Sequence, residues 1–249
     1  MKAPLDYAPK ADALKGLTIL ITGAGDGIGR VAAYTFAKHG ATVILLGRTE
    51  EKLEITYDEI VKNGFPEPVI VKLDLATLDD TQANELAAMI ESEFGTLDGI
   101  LHNASLLGRR SPIENFPPET WTKVMQVNLN AAFFLTRALL PLMHTSKNPS
   151  IVFTSSSVGR KARAHWGVYG VSKFATEGLA MTLADELEEV SRVRVNTLNP
   201  GATRTQMRSA AYPAENPADV ASPHDLMPTY LYLFDEVSLG VSGQQFNAQ

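Results

Sequence analysis

Tyr169 and Lys173 are the two residues whose types and spacing most directly suggest chemistry. They lie four residues apart in a stretch with helical periodicity, so both fall on one face of a predicted helix. A tyrosine with a pKa of about 10 is a poor base at neutral pH, but a nearby positive charge favours the phenolate and lowers that pKa. The pair could therefore give a proton to a carbonyl oxygen or take one from an alcohol.

A glycine-rich turn, Thr22-Gly-Ala-Gly-Asp-Gly-Ile-Gly29, suggests phosphate binding. Without Cβ atoms the backbone can approach a pyrophosphate, and the N-terminus of the following helix offers free N–H donors and a positive dipole end. The alternative is a turn that only packs a helix on a strand. Nucleotide binding is favoured because a predicted strand, the turn and a predicted helix follow one another as such a site requires. The spacing is T-G-x-x-x-G-x-G, which differs from the commoner G-x-G-x-x-G.

Composition excludes several other classes of site. The 249 residues contain no cysteine, which excludes disulfides, thiolate metal sites and a catalytic thiol. The net charge of −6 argues against a general nucleic-acid or acidic-membrane surface, and the five histidines lack metal-binding spacings. No apolar run approaches the ~18 residues that span a bilayer, and the first residues do not resemble a signal peptide, so we expect a cytoplasmic protein.

The elements that must position these residues alternate along the chain. Short β-branched runs predict strands over residues 17–22, 41–46, 69–73, 97–102, 150–154 and 193–198. Amphipathic stretches predict helices over residues 27–40, 50–62, 78–94, 119–143 and 167–190. Buried strands separated by helices indicate an α/β fold, a doubly wound Rossmann-type parallel sheet with helices on both faces, in one domain over residues 1–249. The proline-rich residues 202–228 are predicted to form a substrate lid.

Several motifs in a fixed order make the chain resemble a classical short-chain dehydrogenase/reductase over nearly its whole length. Besides the glycine-rich turn and Tyr169-Gly-Val-Ser-Lys173, these motifs are Asn103-Ala104, Asn128, Ser155-Ser156-Ser157 and Asn199-Pro200-Gly201. Residues 40–48, 152–160 and 173–178 are similar in particular to the bacterial YciK-type branch of that family.

The resemblance implies four catalytic residues. It makes Tyr169 the general acid/base, while Lys173 tunes the tyrosine and bonds the nicotinamide ribose. Ser156 would hold the substrate oxygen, and the family spacing selects it from three adjacent serines. Asn128 would support a water that leads protons to the lysine. Each residue alone is weak support for catalysis, because Y-x-x-x-K occurs by chance on many helices. The prediction rests on all four residues occurring together, in the family's order and on the expected elements.

The resemblance also implies a nicotinamide cofactor. The end of the second strand meets the adenosine ribose, where an acid selects NAD and an arginine favours the 2′-phosphate of NADP. Arg48 stands there without an acid, so we predict NADP(H), with NAD(H) as the alternative if Arg48 is solvated or only stacks on adenine. Asp26 counts against NADP(H), because many relatives that prefer NADP carry a basic residue in that part of the turn. The implied cofactor contacts are Gly23, Gly25, Asp26, Gly27, Ile28, Gly29, Arg48, Asp74, Leu75, Asn103, Ala104, Tyr169, Lys173, Pro200, Gly201, Thr203 and Thr205.

Three features depart from the family pattern or extend it. Ser105 replaces a glycine that passes close to the cofactor, and Thr203 stands where an aliphatic residue is common. Basic residues in three segments would border the cleft and predict a substrate with an anionic group; the alternative is that they are solvated or lie between subunits. These residues are Arg109, Arg110, Arg160, Lys161, Arg163, Arg204 and Arg208.

The sequence therefore predicts an NADP(H)-dependent oxidoreductase that transfers a hydride between nicotinamide and a carbonyl or alcohol substrate. The alternative from another class is a catalytically idle NADP(H)-binding sensor or partner-binding protein on the same fold. Intact Ser156, Tyr169 and Lys173 favour the enzyme. By resemblance we also expect a homodimer or homotetramer, a small-molecule substrate, no metal, and neither a nucleic-acid nor a membrane partner.

Overall fold

The sheet of this protein has seven parallel strands in the order β3-β2-β1-β4-β5-β6-β7. The computed structural model describes residues 1–4 and 7–249. The strands are β1 Thr18–Thr22, β2 Thr42–Gly47, β3 Val69–Lys72, β4 Gly99–His102, β5 Ser150–Thr154, β6 Arg194–Asn199 and β7 Gln245–Asn247. Because the strand order reverses between β1 and β4, a crevice opens there at the carboxyl ends of the strands. The predicted doubly wound α/β fold is confirmed.

Helices cover both faces of the sheet and bury a separate apolar core on each. They are α1 Gly27–Lys38, α2 Glu50–Lys62, α3 Asp80–Phe94, α4 Pro118–Met125, α5 Ala131–Met143, α6 Gly167–Leu187, α7 Gln206–Ala211 and α8 Met227–Phe234. Ile19 and Ile21 of β1 pack into the core beneath α1, α2 and α8, whereas Leu20 packs into the core beneath α3, α5 and α6. Alternate residues point to opposite faces, so both sides of the strand must be apolar.

The helix predicted over residues 119–143 is interrupted. A π-helical turn, Gln126–Asn130, joins α4 to α5. The side chain of Asn128 within this turn accepts a hydrogen bond from the backbone N–H of Leu106 at 2.7 Å and donates one to the Leu106 carbonyl at 3.0 Å. Neither glycine nor proline interrupts the sequence of the turn, so the helical pattern alone did not indicate it. Such π-turns are frequent at functional sites.

The chain after residue 198 holds more regular structure than we predicted. Residues 202–228 contain α7 and two short 3₁₀ turns, Pro217–Asp219 and Pro223–Leu226. The next helix, α8, and the edge strand β7 were not predicted. Helix α8 reads MPTYLYLF, and it is buried along nearly its whole length, so it lacks the one-sided pattern by which helices are recognised. Within the described residues, no helix is both long enough and apolar enough to cross a membrane.

Candidate active site

A cleft with a volume of about 440 Å³ lies at the carboxyl ends of the strands, where the strand order reverses. The glycine-rich turn, the ends of β2, β4 and β5, and residues of the 202–228 segment surround it. Nearly all the predicted site residues meet here. They are Gly23, Gly25, Asp26, Gly27, Ile28, Arg48, Asp74, Leu75, Asn103, Ala104, Ser156, Tyr169, Lys173, Pro200, Gly201, Thr203 and Thr205. Gly29 and Asn128 lie behind the walls of this cleft instead.

The glycine-rich turn brings backbone against backbone. A Cβ atom on Gly29 would lie 2.2 Å from the Gly23 carbonyl oxygen, and Gly27 has a φ of +51° that side chains rarely adopt. The N-terminus of α1 therefore begins at the edge of the cleft, with the Asp26 carboxylate accepting from the Gly27 N–H at 2.7 Å. The glycine-rich turn thus provides the two features that a pyrophosphate site requires: a backbone that the phosphates can approach closely and a helix N-terminus.

The segment after β4 forms the floor of the cleft and is tied to the end of β1. The hydroxyl oxygen of Thr22 accepts hydrogen bonds from the backbone N–H groups of Asn103 at 2.9 Å and Ala104 at 3.0 Å. The sequence did not assign Thr22 a role of its own. Ser105 and Ser155 also line the cleft, and their hydroxyl oxygens are buried with no hydrogen-bond partner among the described residues. A bound ligand or water could satisfy such hydroxyls.

The adenosine end of the cleft holds a basic residue that sequence analysis missed. Lys52 lines the cleft together with Arg48, and its Nζ lies 2.6 Å from a carboxylate oxygen of Asp26. Lys52 lies in the first turn of α2, the helix that directly follows Arg48, and this position could have indicated a second basic residue beside Arg48. The pairing compensates the charge of Asp26, which weighed against NADP(H) in the sequence. One carboxylate oxygen of Asp74 accepts from its own loop, from the Ala76 N–H at 2.9 Å.

Tyr169 and Lys173 are buried at the other end of the cleft. Only 8% of Tyr169 and 3% of Lys173 are exposed, and the Lys173 ammonium lies 5.7 Å from the centre of the tyrosine ring. The Lys173 Nζ donates to the carbonyl oxygen of Thr154, the last residue of β5, at 2.7 Å. Ser156, two residues further on, lines the same end of the cleft. The strand and the helix α6 thus bring a hydroxyl, a phenol and an ammonium together.

Burial sets the proton equilibria of this pair. It raises the pKa of Tyr169 to about 12, and the adjacent Ser156 side chain offsets part of that rise. Burial lowers the pKa of Lys173 to about 8, opposed by the nearby Glu177 carboxylate. We expected the ammonium to lower the pKa of the phenol, but in the protein alone desolvation of the phenolate is the larger effect. The phenol is therefore protonated at neutral pH, as a proton donor must be.

Asn128 lies apart from the cleft and is 4% exposed. Besides its two bonds to Leu106, it donates to the Ser172 hydroxyl at 2.9 Å. Asn128 and Lys173 both line a second cavity of about 10 Å³, close to the space that one water molecule needs. The two side chains therefore face a common water-sized space.

The basic residues predicted to bind an anion are divided among different roles. Of the set, only Arg208 lines the cleft, and its guanidinium already pairs with Glu215 at 2.5 Å. Arg160 is turned away into a buried network, where its Nε lies 2.8 Å from the carboxylate of Glu177, which is 4% exposed. A carboxylate so deeply buried needs a charged partner, so Arg160 has a structural role.

Replacing His102 by asparagine should reduce the pH dependence of stability. His102 is buried, its Nε2 lies 2.8 Å from the Thr136 hydroxyl, and burial lowers its pKa to about 3. In the unfolded chain this pKa is about 6.5, so as the pH falls the unfolded state takes up the proton first. The free energy of unfolding should therefore decrease below about pH 6.5, by up to ~1.4 kcal/mol per pH unit.

Urea denaturation of both proteins at pH 7.5 and pH 5.5 measures this contribution. The His102→Asn variant should lose less stability between the two pH values than the wild type. An equal loss in both proteins would show that His102 is not responsible.

Known proteins resemble this chain over almost all its length. Residues 17–216 match the family model described as short chain dehydrogenase. The uncharacterized oxidoreductase YciK of Escherichia coli K12 is 51% identical over 245 residues, which cover 98% of this chain and 96% of YciK.

Solved structures show the same fold. A short chain dehydrogenase from Pseudomonas syringae is 57% identical, with a TM-score of 0.95 over 99% of this chain and 100% of that one. Another from Escherichia coli CFT073, complexed with NADPH, is 51% identical, with a TM-score of 0.94 over 97% of this chain and 100% of that one. The resemblance inferred from the motifs is confirmed, and the chain belongs to the short-chain dehydrogenase family.

Proposed function

We propose that this protein is an NADP(H)-dependent oxidoreductase that interconverts a carbonyl and an alcohol. The observation that carries the proposal is the composition of the cleft. Arg48 and Lys52 lie at one end, Tyr169 and Lys173 at the other, and the glycine-rich turn borders the space between them. The relative from Escherichia coli CFT073 that is complexed with NADPH supports the same cofactor here.

Each residue at the catalytic end has a distinct role in this proposal. Bound NADPH would supply the hydride. Ser156 orients the carbonyl oxygen by donating a hydrogen bond, and the protonated phenol of Tyr169 gives that oxygen its proton. Lys173 favours the resulting phenolate electrostatically. Asn128 and Lys173 share the small cavity, so a water there would bridge the two side chains.

The substrate end of the cleft is mainly apolar. Trp166 packs 5.7 Å from the Tyr169 ring, and Leu107, Met207 and Ala211 line the same cleft, together with Arg208 from the earlier basic set. An apolar group next to the carbonyl would therefore bury well here. That the substrate carries a carboxylate stays a prediction. It requires Arg208 to leave Glu215 and to pair with the substrate carboxylate instead.

NADPH oxidation measured across a panel of aldehydes and ketones tests this function. The panel should contain matched pairs that differ only by a carboxylate, because equal turnover within the pairs would exclude an anionic substrate. Turnover of at least one carbonyl class is the expected result. Tight NADPH binding without turnover of any class would instead support the idle sensor or partner-binding protein.

Replacing Arg48 by alanine should discriminate between the two nicotinamide cofactors. Loss of a charged hydrogen bond to the 2′-phosphate costs about 1.5–3 kcal/mol, so the Kd for NADPH should rise by roughly tenfold to a hundredfold. The Kd for NADH should change less than about twofold, because NADH lacks that phosphate. Fluorescence titration at moderate salt measures both constants.

The matched control for Arg48 is Arg192→Ala, since Arg192 is exposed and does not line the cleft. Its Kd for NADPH should stay at the wild-type value. An equal weakening of NADH and NADPH binding by Arg48→Ala would contradict NADP(H) selection by this residue.

Exposed apolar side chains on α5 and α6 support the homo-oligomer expected by resemblance. Phe133, Val171, Phe174 and Met181 are each at least 40% exposed, although they belong to helices that otherwise pack in the core. Large exposed apolar side chains on neighbouring helices are typical of an interface between subunits. We propose that α5 and α6 join the subunits.

A further inference from the structure

Arg110 connects three segments that border the substrate end of the cleft. It follows β4, and its Nη1 donates to the carbonyl oxygen of Ala211, the last residue of α7, at 2.6 Å. Its guanidinium carbon lies 5.1 Å from the ring centres of both Trp166 and Tyr212. One side chain therefore contacts the 202–228 segment and the residue that precedes α6.

Tyr212 is held by a second guanidinium from within the same segment. The guanidinium carbon of Arg208 lies 3.8 Å from the centre of the Tyr212 ring. Arg208 in turn makes two hydrogen bonds to the Glu215 carboxylate, at 2.6 and 2.5 Å. Because a guanidinium is attracted to the face of an aromatic ring, these contacts order residues 208–215 as one unit that Arg110 docks onto the rest of the protein.

Trp166, the other aromatic partner of Arg110, occupies a constrained turn. His165 has a φ of +69° and is the one non-glycine residue with a positive φ in the described part of the chain. Its carbonyl oxygen accepts from the Ser111 N–H at 3.1 Å, next to Arg110. A Cβ on Gly167 would lie 2.6 Å from the Phe116 ring. Strained backbone of this kind is found where surrounding contacts hold a functional side chain in place.

The docked segment borders the catalytic end of the cleft. Met207, Arg208 and Ala211 line the same cleft as Trp166 and Tyr169, whose rings lie 5.7 Å apart. Arg110 itself does not line the cleft, and its charge is directed at Ala211 and the two rings. Arg110 is therefore poorly placed to bind a substrate anion, which is the role that its position in the sequence suggested.

We propose that Arg110 is a positioning residue that holds the 202–228 segment closed over the substrate, by docking Ala211 and Tyr212 against the fixed ring of Trp166. The consequence for substrate binding rests on the proposed function, whereas the docking itself does not. Release of the contact would expose residues 207–215 and remove the wall formed by Met207 and Ala211, whereas the Arg204 N–H remains bonded to the Ala221 carbonyl oxygen and holds Thr203 and Thr205 in place. Substrate binding would weaken, and the cofactor end of the cleft would remain.

Limited trypsin digestion of the cofactor-free and substrate-free protein tests the docking directly, since Arg208 is a cleavage site within the docked residues. The variant Arg110→Met retains an unbranched side chain but loses the charge and the donors. The initial rate of cleavage after Arg208, followed by mass spectrometry, should rise about tenfold or more. The control is Arg109→Met, its exposed neighbour in the sequence, which should be cleaved at the wild-type rate.

A second variant addresses the same contact from the other side. Tyr212→Leu should also accelerate cleavage, and the double variant should accelerate it by less than the product of the two single effects, because both changes remove the contact between Arg110 and Tyr212. With an active carbonyl substrate, Arg110→Met should raise the substrate KM about tenfold, while the Kd for NADPH changes less than about threefold. A general loss of folded structure would instead raise both the substrate KM and the Kd for NADPH.

Wild-type cleavage rates in Arg110→Met, or equal acceleration by Arg109→Met, would overturn the proposal. Fully additive effects of Arg110→Met and Tyr212→Leu would also overturn it. Faster cleavage without turnover of any carbonyl would support the docking by Arg110 and would contradict the proposed oxidoreductase function instead.

Discussion

Replacing Tyr169 by phenylalanine should lower kcat for NADPH-dependent carbonyl reduction by about 10³-fold or more, within the upper range of general acid catalysis. The change removes the phenolic proton donor, while the ring that packs 5.7 Å from Trp166 remains. The Kd for NADPH should change less than about threefold, because Lys173 and the glycine-rich turn are unaltered. Steady-state kinetics and fluorescence titration measure the two quantities separately.

Tyr230 provides a matched control for this substitution. It is fully buried, and its hydroxyl lies 3.1 Å from the hydroxyl of Thr154, whose carbonyl accepts from Lys173. Tyr230→Phe thus removes a buried phenol hydroxyl near the site that is not placed to reach the substrate. Its kcat should fall less than about tenfold, since it loses one neutral hydrogen bond. If Tyr169→Phe kept more than about a tenth of the wild-type kcat, Tyr169 would not be the proton donor.

Replacing Gly29 by alanine should abolish tight NADPH binding. The new Cβ would lie 2.2 Å from the Gly23 carbonyl oxygen and 2.7 Å from the Asn103 side-chain amide. The Gly23 oxygen belongs to the backbone, and the Asn103 amide is itself bonded to the Thr22 carbonyl oxygen at 3.3 Å, so the first turn of α1 must move. We expect at least about a hundredfold higher Kd for NADPH, measured by titration, together with a lower Tm, because overpacking of this kind costs 1–3 kcal/mol or more.

Gly178→Ala is the corresponding control in α6. No atom lies within 4 Å of its added Cβ, so NADPH binding should remain at the wild-type level. An alanine within a helix is favoured over glycine by about 1 kcal/mol, so the Tm of this variant should stay the same or rise slightly. A wild-type Kd in Gly29→Ala would show that the close backbone packing of the turn is not required for the cofactor.

The sequence by itself determined the fold class and most of the cleft. Four of the strands, β1, β2, β4 and β5, appear as short apolar runs because they are buried on both faces. The half-buried edge strand β3 and the mixed strand β6 are still marked by β-branched residues, and the periodicity of the flanking helices is equally local. A parallel sheet brings the carboxyl ends of its strands to one edge, so motifs at those ends had to meet. Tyr169 and Lys173 share a helix face for the same kind of reason, since a spacing of four residues is close to one turn.

Only the tertiary structure decided how charged and polar side chains are paired. Arg160, predicted at the cleft, bonds instead to Glu177, and Lys52 bonds to Asp26, a residue of another element. The π-turn around Asn128 depends on the backbone of Leu106, and the docking of the 202–228 segment depends on Arg110. A side chain's local sequence limits which partners it can bond, but the partner it takes is set by which distant residue folding brings within about 3 Å.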